Sequence, residues 1–361
     1  MKRFGNLWDE VVSFENLYRA YRTARLGKTD RIDVQRFDAH LEPALFELQA
    51  QLQSGEYTGG GYRQFTLYER KPRLISAAPF ADRVVHHAVM RVLEPLIDPR
   101  FIHDSYACRE GKGVHRAVDR YQIWARENEY ALKIDISAYF ASIDHALLNA
   151  ALARHIKDQR VLALLATIIA GSPPDDSKPP RYFEGDDLLS VAERRRGLPI
   201  GNLTSQFFAN LYLNQFDHFV KEQLGVRCYL RYVDDMVLLG NSKAELWQCL
   251  AAMRAELEKL RLTLHPRKIH LCHTREGLDV LGYRVFRGHR HLRDDNAVRF
   301  ARKLRGMAKA YGAGRYELSD FKPSICAWLG HAKHADCEGL KRKLFGDTLF
   351  HRGSAQTTAS G

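Results

Sequence analysis

The run Arg231-Tyr232-Val233-Asp234-Asp235-Met236-Val237-Leu238-Leu239-Gly240 constrains this chain more than any other stretch. Two adjacent carboxylates sit between two apolar runs. Residues 229–233 read as one strand and 236–239 as the next, with Asp234 and Asp235 at the reversal. A hairpin this apolar belongs inside a sheet, yet an acidic pair at its tip repels itself and adds nothing to a core. The plain alternative is a solvated Asp-Asp turn. The chemical reading is a divalent cation held by hard oxygen ligands.

A third carboxylate favours the chemical reading. Ala131-Leu132-Lys133-Ile134-Asp135-Ile136 is a short strand ending in an acid, and Ser137-Ala138-Tyr139-Phe140 then turns into a helix. A carboxylate at the end of a buried strand needs a partner or a metal. Brought together, Asp135, Asp234 and Asp235 could hold two Mg²⁺ ions about 4 Å apart, one activating an attacking hydroxyl and one stabilising a leaving phosphate. Catalysis of that kind is mainly positioning and charge stabilisation.

The rest of the chain supplies a frame. Residues 1–55 read as helices, from Leu7, Val11, Phe14, Leu17 and Tyr21 and from Leu41, Leu45, Leu48 and Leu52, with a basic segment at 19–36. Gly59-Gly60-Gly61 breaks the chain. A hairpin over 62–76 follows, carrying Arg70, Lys71 and Arg73 at or beside its tip, either solvated or set to grip phosphate. A helix begins at Phe80 and is expected to end near Pro95, and another spans about 115–128. The glycine-containing loop at 106–113 lacks the GxxxxGK spacing of a phosphate loop. Residues 171–197, with Pro173-Pro174 and Pro179-Pro180, read as a partly flexible surface insertion. Gly201 leads into a helix for which Ser205 is the expected N-cap. A helix over 243–260, a strand pair around 280–285 and basic helices from about 296 complete the chain, and 353–361 is expected to be disordered.

The net charge of +12 suits a polyanionic partner, nucleic acid first. The six cysteines include no CxxC and resemble neither a disulfide framework nor a zinc site. The longest apolar run is too short to span a bilayer, and the first residues lack an apolar stretch of signal-peptide type, so the expected location is the cytoplasm, with no membrane partner.

Taken in order, these motifs resemble the reverse transcriptases: a basic hairpin, Asp135 with an aromatic five residues on, Gly201 before Ser205, Tyr232-Val233-Asp234-Asp235, a later lysine, then Leu281-Gly282-Tyr283. The resemblance covers about 60–290. Its nearest form is the reverse transcriptases of diversity-generating retroelements. Group II intron enzymes typically carry a glutamine before the glycine and a proline after the serine, where this chain has Ile200-Gly201-Asn202-Leu203-Thr204-Ser205-Gln206. The segment Ala327-Trp328-Leu329-Gly330-His331-Ala332-Lys333-His334-Ala335 is similar to the thumb of the diversity-generating enzymes.

The resemblance implies an α+β right-hand polymerase. Its expected parts are an N-terminal helical region (1–58), fingers and an antiparallel palm (59–290), a helical thumb (291–352) and a tail (353–361). It implies an RNA-directed DNA polymerase that copies a retroelement template RNA into cDNA from dNTPs, with errors at template adenines that diversify a target gene. It assigns two Mg²⁺ ions to Asp135, Asp234 and Asp235 with the Ile136 carbonyl. Lys71 and Arg73 would contact the triphosphate, and Phe140 would be the steric gate against a ribose 2′-hydroxyl, with core packing as its plain alternative. Ile200 and Gly201 would flank the nucleotide. Lys268 would protonate pyrophosphate, with His265 and Arg267 nearby as alternatives, and Leu281, Gly282 and Tyr283 would form the primer grip. The expected partners are the template RNA, the RNA/cDNA duplex and an oligomeric, basic accessory variability protein. Other bacterial reverse transcriptases, of antiphage-defence or retron type, and a catalytically silent RNA-binding scaffold are the rival readings.

Overall fold

The computed structural model describes residues 2–68, 72–173 and 181–352; Arg70 and Lys71, the stretch 174–180 and the tail 353–361 lie outside the described residues. The fold is α+β, and its contacts divide the chain into two compact units.

The first unit comprises Met1–Gly111, Lys133–Leu238 and Ala244–His270. Near its start, Ser13 caps helix Phe14–Arg25 by accepting from the Asn16 amide at 3.2 Å. The 3.6-residue period turns Leu17, Ala20, Tyr21 and Ala24 inward. Buried Asn16 also donates to the Ala88 carbonyl at 3.0 Å, fixing this helix against helix Phe80–Ile97. The latter runs two residues past Pro95, because a proline so near the end removes one amide and has little helix left to break.

Strands β1 (Arg63–Tyr68) and β2 (Pro72–Ala77) form an isolated antiparallel pair, with β1 exposed along its length. Its base is anchored by buried Asp82, which accepts from the Tyr57 hydroxyl at 2.9 Å and the Gly60 amide at 2.7 Å. The four-stranded sheet has the order β4 (Tyr229–Tyr232), β5 (Asp235–Gly240), β3 (Tyr130–Asp135), β6 (His270–His273). Met236, Val237, Leu238 and Leu239 are consecutively buried, so both faces of β5 are covered.

Residues 181–197 are tied down by charge. Asp144, 1% exposed, accepts from Arg261 at 2.5 Å and lies 3.5 Å from Arg194 Nε, while Arg194 also pairs with Asp186. This part of the expected insertion is therefore docked on the first unit, by Arg194 beside Asp144 and by backbone hydrogen bonds in which His145 N donates to the Arg195 carbonyl at 3.0 Å and Gly197 N to the Ile143 carbonyl at 2.9 Å.

The second unit, described by itself, comprises Lys112–Leu132, Leu239–Lys243 and Leu271–Gly361. Strands β7 (Leu278–Val280), β8 (Tyr283–Val285) and β9 (Arg290–Leu292) form consecutive antiparallel hairpins. Helices Asp294–Gly312 and Leu318–Ala332 meet where Phe300 stacks on Trp328 at 4.0 Å and the indole donates to Asn296 at 2.9 Å. On the first of these, Phe300, Leu304 and Met307 face inward, while Arg299, Arg302, Lys303, Arg305 and Lys309 are exposed.

Candidate active site

The β4–β5 register pairs Tyr232 with Asp235, which leaves Val233 and Asp234 as a two-residue turn. Asp235 therefore opens β5 rather than sitting at the reversal, because the shortest hairpin connection best matches the twist of its strands. Val233 adopts φ +56°, a left-handed conformation that costs a β-branched residue energy.

The end of β3 lies against this turn: the Ile136 amide donates to the Asp234 carbonyl at 3.3 Å. On its other side runs the segment 263–268. The Ser137 amide donates to the Thr263 carbonyl at 2.8 Å, Ile136 and Leu264 form an antiparallel bridge, and the His265 amide donates to the Asp135 carbonyl at 2.8 Å. A turn closed by Lys268 N on the His265 carbonyl then brings the Lys268 ammonium onto both oxygens of Asp135, at 2.7 and 2.6 Å. Lys133, two residues before Asp135 and so on the same face of β3, lies 3.4 Å from Asp235. Of the residues the sequence nominates, Asp135, Ile136, Asp234, Asp235 and Lys268 are thus brought together.

Their charges are not fully compensated. Burial, then the neighbouring carboxylates of Asp135 and Asp235, pushes the Asp234 carboxyl up to about 6. Among the described residues no group of three or more His, Cys, Asp or Glu side chains is arranged to hold a metal ion. Lys268 takes both oxygens of Asp135, and Lys133 stands at Asp235. The donor set itself is all carboxylate, as a hard cation prefers, and the raised Asp234 carboxyl marks a charge that is first buried and then crowded by its neighbours, a cost that such an ion relieves. On that ground the residues fit a divalent metal, with Lys268 yielding its place on Asp135.

Around this centre Tyr139 is buried and Phe140 half-buried, their rings 5.8 Å apart. The Phe140 carbonyl accepts from Leu198 N at 2.9 Å, which fixes the backbone that carries the ring. Ile200, also half-buried, accepts through its carbonyl from Ser76 N at 3.1 Å, which joins it to β2. Gly201 has φ +116°, and a Cβ there would sit 3.1 Å from Ile75. Helix Leu203–Tyr212 starts two residues before Ser205; its N-cap is Asn202, and Ser205 is buried inside the helix, not its cap. Arg73 is exposed on β2 opposite Leu67, while Lys71 lies outside the described residues.

Leu281 and Gly282 belong to the second unit, where they form the β7–β8 turn with φ +47° and +96°. Tyr283, at the start of β8, donates its hydroxyl to the His331 carbonyl at 2.8 Å and lies 2.8 Å from His331 Nδ1, while His115 stacks on His334 at 3.6 Å.

Sequence reasoning missed Arg231 and Asp217. Both side chains are fully buried, with Arg231 forked onto Asp217 at 2.6–2.9 Å. The available signal was a permanently charged residue inside an otherwise apolar strand.

The family model described as “Reverse transcriptase (RNA-dependent DNA polymerase)” matches residues 65–285. Among curated proteins, Protein YkfC of Escherichia coli (strain K12) is 26% identical over 72% of this chain and 75% of its own length. Group II intron-encoded protein LtrA of Lactococcus lactis subsp. cremoris is 24% identical over 58% of this chain, which spans only 33% of LtrA. A structure of apo telomerase from Candida tropicalis, truncated from its C-terminal domain, aligns at 12% identity with a TM-score of 0.49, over 66% of this chain and 55% of that one.

Proposed function

Because the chain belongs to the reverse transcriptase (RNA-dependent DNA polymerase) family, we propose that it copies an RNA template into cDNA from dNTPs, and that it is the error-prone enzyme of a diversity-generating retroelement. The observation that carries the polymerase reading is the convergence of Asp135, Asp234 and Asp235 at the β3 end and the β4–β5 turn, with Lys268 on Asp135.

Asp135, Asp234 and Asp235, with the Ile136 carbonyl, would hold two Mg²⁺ ions, which would lower the pKa of a primer hydroxyl and neutralise the phosphates. The residues of the chain do the rest. The 3′-hydroxyl of the primer gives up its proton to solvent, its oxygen bonds to the α-phosphorus of the dNTP as the bond to pyrophosphate breaks, and the Lys268 ammonium gives its proton to that leaving group and regains one from solvent. Lys71 and Arg73 bind the triphosphate, a role that the exposure of Arg73 on its strand leaves open to it. The half-buried ring of Phe140 fills the space of a ribose 2′-hydroxyl. Leu281, Gly282 and Tyr283 hold the primer. This reading divides the chain into an N-terminal helical region over 1–58, fingers and palm over 59–290 and a thumb over 291–352, a functional division that cuts across the two interleaved compact units. The exposed cations of helix Asp294–Gly312 suit a duplex backbone.

The diversity-generating reading rests on Ile200. An aliphatic side chain there offers no hydrogen bond to an incoming nucleotide, so geometric checking of the base pair is weak. A basic, oligomeric accessory variability protein belongs to this reading. The group II intron-encoded relative favours a second one, a bacterial reverse transcriptase outside the diversity-generating group.

The test is to express the chain with its native flanking DNA and sequence the cDNA, beside an Asp234→Asn, Asp235→Asn control. Substitutions concentrated at template adenines and absent from the control are expected. Faithful cDNA would reject the diversity-generating reading and keep the polymerase. No cDNA, with or without the accessory protein, would reject both. Ile200→Gln should lower the error rate at adenine by about tenfold, roughly the worth of one hydrogen bond; an unchanged rate would remove Ile200 from the account.

A further inference from the structure

A fully buried ion pair is poor evidence for stability, since apolar packing of similar volume often does as well. Its presence directly behind the acidic turn calls for another role. Arg231 spends Nε and Nη2 on Asp217, and Asp217 also accepts from the Tyr229 hydroxyl at 2.7 Å. The remaining nitrogen, Nη1, donates to the Val233 carbonyl at 3.0 Å and to Asn210 Oδ1 at 3.1 Å. Asn210 is itself fixed by donating to the Ala107 carbonyl at 2.8 Å. The Arg231 backbone is clamped as well: its amide donates to Asp104 and its carbonyl accepts from Tyr106, at 3.0 and 2.9 Å.

The carbonyl that Nη1 grips belongs to the one strained residue of the turn, Val233 at φ +56°. Strain of that kind persists only where the surroundings over-determine it. We propose that Arg231, oriented by Asp217, is a positioning residue that holds Val233 in its left-handed conformation and so presents Asp234 and Asp235 as ligands. This rests on the metal-binding role given to those carboxylates above. The planar guanidinium matters, because only a fork reaches the Asp217 carboxylate and the Val233 carbonyl together.

The test is Arg231→Lys, which keeps the charge and loses the fork, with Val233→Gly added as second-site rescue. Glycine takes the left-handed conformation without penalty, so it should make the turn independent of Arg231. Two readouts need no turnover: hydrogen exchange of the Asp234 and Asp235 amides, and Mn²⁺ affinity by electron paramagnetic resonance. In Arg231→Lys exchange should speed up about tenfold, and Mn²⁺ affinity should fall about 10- to 100-fold, as when a ligand's supporting partner is lost. The added glycine should return the affinity to within a few-fold of wild type, which a merely structural role for Arg231 does not predict.

Should Arg231→Lys fail to fold, Tyr229→Phe removes one hydroxyl from Asp217, leaves both charges, and should show a smaller loss with the same rescue. Unchanged exchange, or a folded variant whose lost affinity glycine does not restore, would overturn the inference. A wild-type protein that binds Mn²⁺ and makes no cDNA would instead overturn the polymerase reading, leaving the role of Arg231 standing.

Discussion

Asp234 shows how a residue can be costly to a fold while standing at the centre of a candidate site. Burial and two neighbouring carboxylates raise its carboxyl from an ordinary 3.8 to about 6. Between those values the folded protein binds more protons than the unfolded chain, so this residue's contribution to stability falls as pH rises from about 4 to about 6. Above that range the ionised group costs up to about 3 kcal/mol, since each tenfold change in proton affinity is worth about 1.4 kcal/mol. Asp234→Asn should therefore stabilise the metal-free protein by about 1–3 kcal/mol at pH 8 and by almost nothing at pH 4, in urea unfolding with a chelator present. A gain equal at both pH values, or none at pH 8, would show that the repulsion is relieved some other way. Metal binding has the opposite sign: the carboxylate must be ionised to ligate, so Mn²⁺ affinity should drop as pH falls below about 6.

At the level of elements, the sequence was most legible where one local rule decides. The acidic hairpin, the strand ending at Asp135 and the helix from Phe80 follow from apolar periodicity alone, and the structure has them. Boundaries moved where a neighbour decides. Asp235 joined β5 because the turn needs only two residues, and Ser205 lost its capping place to Asn202. What could not be read was pairing between distant charges: Lys268 on Asp135, Arg231 on Asp217, Arg194 and Arg261 on Asp144. The proline-rich region 171–197 is the instructive case, since composition suggests a loose insertion while its charged end is docked. Asp144 also caps helix His145–His155, accepting from the Leu147 amide at 3.0 Å. Asp144→Ala, which removes the helix cap and the carboxylate between Arg261 and Arg194 while Arg194 keeps Asp186, should cost about 2–3 kcal/mol and open 181–197 to limited proteolysis. Asp144→Asn keeps the cap and should cost less. A loss below about 1 kcal/mol, with no new cleavage, would mean the segment is held by other contacts.

The whole molecule is not a chain of successive domains. It leaves the first unit after Gly111, returns at Lys133, leaves again at Leu239, returns at Ala244 and departs last after His270. The second unit is therefore assembled from an early helix and late strands. Helix Val114–Glu127 buries Ala117, Val118, Tyr121 and Trp124, and its polar rim is fastened to residues more than 150 positions away. Gln122 and Arg126 donate to the carbonyls of Phe286 and Arg287 at 3.4 and 3.1 Å, and Arg290 pairs with Asp119 at 2.6 Å. Each large apolar side chain in that set is worth about 1.5–3 kcal/mol when buried, so losing their cover costs an amount comparable to the net stability of a domain, about 5–15 kcal/mol. A chain ending at His270 keeps every carboxylate of the candidate site, yet it should not behave as a smaller enzyme. Its 114–127 amides, protected in the full chain, should exchange at the rate of an unfolded segment, and the truncated protein should bind an apolar dye. Slow exchange across 117–125 in that fragment would show that the early helix finds its cover within the first 270 residues, and that the interleaved path of the chain is not what makes it fold as one.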